Sequence, residues 1–204
     1  MPFMWIIPTR SRPHRLAALI DACEKTGMST PALIMLDDDD PMLGSYWELD
    51  RPQGWVFVSG PRRYLSARYN NAFAALPGLD WYGFLADDVV PETPGWDRTL
   101  IDAAGSDCLA FGDDGINGGN HATHFVLGGD LVRETGWLCL PGLQRIYIDT
   151  VWTDLAQDKG VHRYLSHVKL THHHFSNGKA LMDSTYRKPG KEADRRVYDA
   201  WKVR

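Results

Sequence analysis

Short apolar runs that end abruptly in charge, separated by segments of helical period, constrain this chain more than any other feature. Met4-Trp5-Ile6-Ile7, Ala32 to Leu36, Trp55 to Val58 and Trp81 to Ala86 are short and almost uninterrupted in their apolar character. Such runs predict strands buried on both faces. Between them, Leu16, Leu19, Ile20 and Cys23 recur at helical spacing, as do Leu65, Tyr69, Ala72, Phe73 and Leu76 in a segment from about Tyr64. Pro13 suits the first turn of a helix, where its missing N–H costs nothing, and Gly27 and Pro77-Gly78 are stops. Strand and helix in alternation predict an α/β domain: a mostly parallel, Rossmann-like central sheet with helices on both faces. The 204 residues fit a single domain.

The second half is less regular. Thr93-Pro94 opens a short helix with Trp96, Leu100, Ile101 and Ala104 facing inward, and Leu109 to Gly112 has strand character. Asp113 to Asn120 holds three Gly, two Asn and two Asp, a mobile loop by composition. Phe125 to Leu127 is a strand leading into Gly128-Gly129-Asp130. Asp149 to Lys159 is a helix packed through Trp152, Leu155 and Ala156 and ended by Gly160. Arg163 to Leu170 is a strand followed by His172-His173-His174, and Glu192 to Lys202 is a helix with Ala193, Val197, Ala200 and Trp201 on one face.

In an open parallel sheet, ligands gather outside the carboxyl ends of the strands, where loops are free and helix N-termini point at them. Charge falls there four times: Thr9-Arg10-Ser11-Arg12, Asp37 to Asp40, Arg62 and Arg63 with Arg68 one turn into the next helix, and Asp87-Asp88. Guanidinium forks match phosphate oxygens and hard cations take carboxylate oxygens, so a diphosphate with a divalent metal is the expected ligand. The bland alternative is a set of solvated strand-end charges. Asp87-Asp88 is the sharpest item, because adjacent carboxylates repel unless a cation lies between them or one receives a hydrogen bond from a ligand. The histidine run offers imidazole to an ion, or is a solvated edge. Asp149 is either a general base or simply an acid favoured at a helix start, with Asp154 five residues on.

The 22 Lys and Arg against 26 Asp and Glu give a net charge of -4, which excludes a global attraction to nucleic acid or anionic lipid. No apolar run approaches the roughly 18 residues of a membrane span, and Met1 to Ile7 is too short for a signal-peptide core. Cys23, Cys108 and Cys139 form no CxxC pair, which fits reduced thiols in the cytoplasm. Eight tryptophans are expected to lie mostly in the core rather than to serve as sugar or base platforms.

Taken together, the strand ending in Pro8-Thr9-Arg10, the acids after the second strand, Arg68 with Asn70-Asn71, and Ala86-Asp87-Asp88 resemble the nucleotide-binding half of GT-A-fold glycosyltransferases. The resemblance is nearest to the large inverting family that builds polysaccharides. Gly128-Gly129-Asp130 with Gly136-Trp137 resembles that family's acceptor-side strand and helix, and Asp149, Gly160 and His173 fall at its spacing. It implies a nucleotide-binding half over residues 1–90 and an acceptor and catalytic half over 91–175; beyond the resemblance, Tyr186, Arg187, Lys188 and Lys191 among Gly178, Pro189 and Gly190 make the tail over 176–204 a candidate lid over the diphosphate. It also implies roles. Pro8, Thr9, Arg10 and Arg12 would lie near the nucleotide, Asp37 or Asp38 would accept the N3–H of uracil, and Arg68 would approach base or phosphates. Asp87 would face the ribose, Asp88 and His173 would ligate Mn2+ or Mg2+, and Asp149 would be the catalytic base.

The activity so implied is a metal-dependent, inverting transfer of a sugar from a nucleotide-diphosphate donor, UDP-linked by first choice. The acceptor hydroxyl is open: glycan, lipid-linked sugar, protein or modified nucleobase. A nucleotidyltransferase on a similar sheet is the rival enzyme, but its glycine-rich loop is missing from Thr9-Arg10-Ser11-Arg12-Pro13. A sugar- or nucleotide-binding protein that keeps the fold without turnover is the rival from another class.

Overall fold

Alternation along β1 (Phe3–Pro8) divides the core in two, with Trp5 and Ile7 on one side of the sheet and Ile6 on the other. The structure, a computed structural model, describes residues 3–173, 178 and 191–203. After β1 come α1 (Pro13–Lys25), β2 (Ala32–Asp37), α2 (Leu43–Trp47), β3 (Trp55–Gly60), α3 (Leu65–Ala75), β4 (Trp81–Phe84) and β5 (Val89–Pro91). The second half adds α4 (Trp96–Ala104), β6 (Leu109–Asp113), a 3-10 turn (Gly118–Asn120) and β7 (Phe125–Gly128). It continues with α5 (Gly129–Thr135), α6 (Ile148–Asp158), β8 (His162–His172) and α7 (Lys191–Lys202).

Both faces of the sheet are covered. Leu16, Leu19, Ile20 and Cys23 of α1 and Trp96, Leu100, Ile101 and Ala104 of α4 pack with Trp5, Ile7, Ile34 and Leu36. On the other side Tyr69 and Ala72 of α3, Leu131 and Val132 of α5 and Trp152 of α6 pack with Ile6, Tyr82, Phe84 and Phe111. The inward residues expected of α1 and α4 are those observed; of the stripe expected on α3, Tyr69 and Ala72 are buried and Leu65 and Phe73 half-buried, whereas Leu76 is exposed just past the helix end. Gly160 ends α6 at φ 70°, a conformation that suits a residue without Cβ. The three cysteines are buried and unpaired. No helix among the described residues is long and apolar enough to cross a membrane.

The strand order is β3-β2-β1-β4-β7-β6-β8-β5. Four of the seven pairings are parallel, and β4–β7, β6–β7 and β5–β8 are antiparallel. The sheet is thus more mixed than the alternating pattern predicts. β6 and β7 are joined by the glycine-rich loop with no crossover helix, and a parallel pair needs such a crossover. Because β7 alone reverses direction between β4 and β6, the carboxyl ends of β1, β2, β3, β4, β6 and β8 share one edge.

Two sequence expectations change. The short elements α2 and β5 carry no periodic pattern and were not foreseen. On α7 the inward face turns: Ala193 and Ala200 are exposed, whereas Asp194 is buried and Val197 and Trp201 are half-buried. Polar contacts of Asp194, described below, set that rotation. Of the tail expected to act as a lid over 176–204, residues 176–177 and 179–190 lie outside the described residues.

Gly83 on β4 is fixed by packing. A Cβ there would lie 2.4 Å from Cε3 of Trp5, whose ring is fully buried against Trp96 at 4.7 Å and donates to Thr30 Oγ1. Gly83→Ala is expected to destabilise the fold by about 1–3 kcal/mol, read as a fall of several degrees in thermal unfolding. An unchanged melting temperature would show that the Trp5 ring yields freely.

Candidate functional site

A cleft of about 1330 Å³ opens at the shared edge, lined by Thr9, Arg10, Arg12, Asp37, Arg68, Asp87, Asp88 and Asp149 among others. The loop after β1 brings arginine to acid. Ser11 sits at φ 58°, a strained conformation for a residue with a side chain. Asp40 holds it there, accepting from Ser11 N (2.7 Å) and Oγ (3.2 Å). The turn sends Arg12 into the interior just ahead of Pro13, which starts α1. A chain of donors fixes the same loop: Arg12 N–H to Tyr46 Oη (2.8 Å), Tyr46 to Thr9 Oγ1 (3.0 Å), and Thr9 Oγ1 to Asp87 Oδ2 (2.6 Å).

The four aspartates after β2 separate by role. Asp37 is buried and receives Arg10 Nη1 at 3.0 Å and Arg68 Nη1. Asp38 is exposed and does not line the cleft, so of the two candidates for reading a base only Asp37 is in place. Asp39 pairs with Arg10 and Arg62 at the surface. Asp40 serves the Ser11 turn. Asn70 is structural: its side chain straps α3 to the backbone of Leu138 and Cys139.

Asp87 and Asp88 are 6% and 8% exposed. Arg12 Nη1 lies 3.1 Å from Asp87 Oδ1 and 3.3 Å from Asp88 Oδ2, Arg15 Nη1 is 3.3 Å from Asp88 Oδ2, and His172 Nε2 is 3.4 Å from Asp88 Oδ1. Burial and the charge of Asp88 raise the Asp87 carboxyl. Burial also pushes Asp88 up, but the His172 hydrogen bond and the nearby cations outweigh it and hold Asp88 well below the usual carboxylate range. His124 stands edge-on to His172 at 4.8 Å, with burial pushing its imidazole down to about 3.

Across the cleft, Asp149 opens α6 and lies 3.1 Å from His121 Nε2. Its approach is built by α7: buried Asp194 accepts the backbone N–H groups of Gln144, Arg145 and Ile146 at 2.7–2.9 Å. Tyr147 follows at φ 66° and stacks on Tyr198 at 4.9 Å, so the chain enters the helix in one direction. The loop expected to be mobile is tied down by buried Asp114, which accepts from Ile116 N, Asn117 N and Nδ2, and Thr123 Oγ1. Asp130 pairs with Arg133 and Asp154 with Lys202, both away from the cleft.

These residues do not fit the divalent ion expected at Asp88 and His173. Guanidinium and imidazole groups already meet both oxygens of Asp88. His172 turns its imidazole to that carboxylate. His173 lines a second hollow of about 250 Å³ together with Asp87, Asp88, His14 and Arg15, and its backbone N–H donates to Asp88 O. Among the described residues no three His, Cys, Asp or Glu side chains gather as a metal-binding group. The third histidine, His174, lies outside the described residues.

No protein-family model and no curated protein matches the chain. Solved structures do. Mannosyltransferase PcManGT from Pyrobaculum calidifontis, in complex with GDP-Man and Mn2+, is 11% identical with a TM-score of 0.64, over 97% of this chain and 70% of that one. S. aureus TarS 1–349 is 14% identical with a TM-score of 0.63, over 83% of this chain and 59% of TarS. A Methanothermobacter nucleotidyl transferase is 15% identical with a TM-score of 0.55, over 83% and 87%. The likeness is one of fold. A sugar transferase and a nucleotidyl transferase both use this α/β architecture, and fold alone does not choose between them.

Sequence reasoning missed His121, His124, Arg15 and the seat of His172. His121 and His124 precede β7, whose reversed direction carries its N-terminal approach to the cleft; the signal for that reversal is the glycine-rich connection from β6, which holds no crossover helix. None of the eight tryptophans lines the cleft; its aromatic lining is Tyr64, Tyr69, Phe84, Phe125 and Tyr147.

The Asp149 hydrogen bond raises the pKa of His121 above 6.5. Burial works to raise that of Asp149, but His121 prevails and lowers it. The ion pair is complete between these shifted values, and is lost as pH rises through that of His121 or falls through that of Asp149. An NMR titration should give His121 a midpoint above 6.5 that drops in Asp149→Asn. A midpoint unmoved by that substitution would contradict the pairing.

Proposed function

We propose that this protein is a glycosyltransferase that moves a sugar from a nucleotide-diphosphate donor, UDP-linked by first choice, to an acceptor hydroxyl with inversion. One observation carries the reading. Arginines and acids on the carboxyl ends of β1, β2 and β4 face Asp149 and His121 across one cleft, so a phosphate-binding wall and a base share the same space. In this reading Asp37, oriented by Arg10 and Arg68, accepts the N3–H of the base, and Asp87 faces the ribose. Arg12 lies where the diphosphate would run.

The chemistry follows from those positions. The acceptor hydroxyl attacks the anomeric carbon on the face opposite the diphosphate. As the new C–O bond forms, the bond from that carbon to the phosphate oxygen breaks and its electron pair leaves with the diphosphate. The hydroxyl proton passes to Asp149, a base held at a helix start. Fixed positive groups aimed at the departing diphosphate supply electrostatic stabilisation, commonly the largest catalytic contribution. The nucleotidyltransferase reading keeps the wall but gives Asp149 no evident task, and the loop after β1 contains no glycine.

Nucleoside diphosphates and their sugars should stabilise the protein, because a ligand at about 100 times its dissociation constant contributes roughly 2.7 kcal/mol. In Asp149→Asn this shift should persist, while sugar transfer or donor hydrolysis falls by about 100-fold or more. Turnover close to wild type in Asp149→Asn would remove it as the base. A melting temperature indifferent to UDP, GDP and their sugars would remove the donor site.

A further inference from the structure

The sharpest disagreement between sequence and structure lies at Asp87-Asp88. The carboxylate pair calls for a cation, and the group between the two acids is the guanidinium of Arg12. Its Nη1 is 3.1 Å from Asp87 and 3.3 Å from Asp88, and Arg15 adds a second guanidinium at 3.3 Å from Asp88. His172 reaches the remaining oxygen of Asp88 at 3.4 Å.

Arg12 has been built into this position. The Ser11 turn locked by Asp40, the Arg12 N–H on the fully buried Tyr46 and Pro13 at the start of α1 fix its backbone. The residue is 8% exposed. A divalent ion on the same oxygens would displace the guanidinium or stand beside it, and like charges at such separation repel strongly in a buried site. Arg12 also lines the cleft, so one guanidinium faces both the acids and the space for a diphosphate, and guanidinium is a strong phosphate partner.

We propose that Arg12, seconded by Arg15, replaces the divalent cation of this site, so that the protein binds its diphosphate ligand without a metal ion. Only the nucleotide part rests on the function proposed above; the occupied cation seat does not.

The test uses the full-length protein and manganese as the probe. Wild-type protein titrated with Mn2+ alone should leave the free-ion electron paramagnetic resonance signal undiminished up to millimolar concentration. Arg12→Gln, which keeps a polar side chain but removes the charge, should open the seat and bind Mn2+ at least about tenfold more tightly than wild type. Calorimetry of UDP and GDP with wild-type protein should give affinities within about twofold in EDTA and in Mn2+. One tightly bound Mn2+ per wild-type chain, or a nucleotide affinity rising about tenfold with Mn2+, would overturn the proposal. So would a folded Arg12→Gln with no gain in Mn2+ binding. If Arg12→Gln does not fold, the wild-type titrations decide. If neither nucleotide binds in either buffer, the function proposed above fails, while the Mn2+-only titration still decides this inference.

Discussion

Two adjacent, buried carboxylates at the end of β4 set the terms for the rest of the site. At roughly 4 Å in surroundings of intermediate dielectric, like charges cost on the order of 4 kcal/mol, a large fraction of a domain's net stability. Arg12 removes that repulsion by sharing one nitrogen between Asp87 and Asp88. The sharing requires a turn after β1 that no relaxed backbone would make. Asp40 therefore accepts from Ser11 on both oxygens, one of them shared with Met42 N–H, and Tyr46 links Arg12 to Thr9 and so to Asp87. The acids of β2 and β4 and the loop of β1 thus form one electrostatic unit across three parallel strands. Removing one partner of such a buried set leaves an uncompensated charge, an effect of about 3–5 kcal/mol in comparable pairs.

The opposite wall obeys a different constraint. Asp149 is presented from a helix start, and the segment leading to it carries backbone donors that lie outside any helix or strand. Asp194 on α7 accepts three of them, so the C-terminal helix, remote in sequence, fixes the approach to α6. This explains why α7 buries an aspartate rather than the alanines on its neighbouring face. The antiparallel β7 brings His121 to Asp149 from the third side. The cleft is therefore closed by contributions from both halves of the chain, although its wall of Arg10, Arg12 and Arg68 belongs to the first.

Much of this was legible from single residues. Apolar runs locate the strands, helical spacing locates the packed faces of α1, α3 and α4, and strand-end charge locates Asp37, Arg68, Asp87 and Asp88 on one edge. What was illegible is which charge meets which. Asp37 to Asp40 look alike in sequence, yet one faces the cleft, one is a surface acid, one pairs at the rim and one holds a turn. That division depends on the path of the β1 loop, a tertiary fact. The seat of His172 was hidden for a related reason. Strand residues alternate in direction, and because β8 continues to His172, it is His172 that turns toward Asp88. Family spacing selected His173, which falls one residue later. The direction of β7 is not written in the strand itself, since a four-residue apolar strand reads the same either way; it is written in the connection from β6, which has no crossover helix.

The account rests on one claim about bond breaking: that the cleft holds a nucleotide-diphosphate sugar and cleaves it between sugar and phosphate. Mass spectrometry of the products from a panel of nucleotide sugars, run beside nucleoside triphosphates with sugar phosphates, tests it directly. The account predicts release of a nucleoside diphosphate from a nucleotide sugar. Release of pyrophosphate from a nucleoside triphosphate, with a new nucleotide sugar formed, would contradict it and make attack at the α-phosphorus the reaction of this cleft.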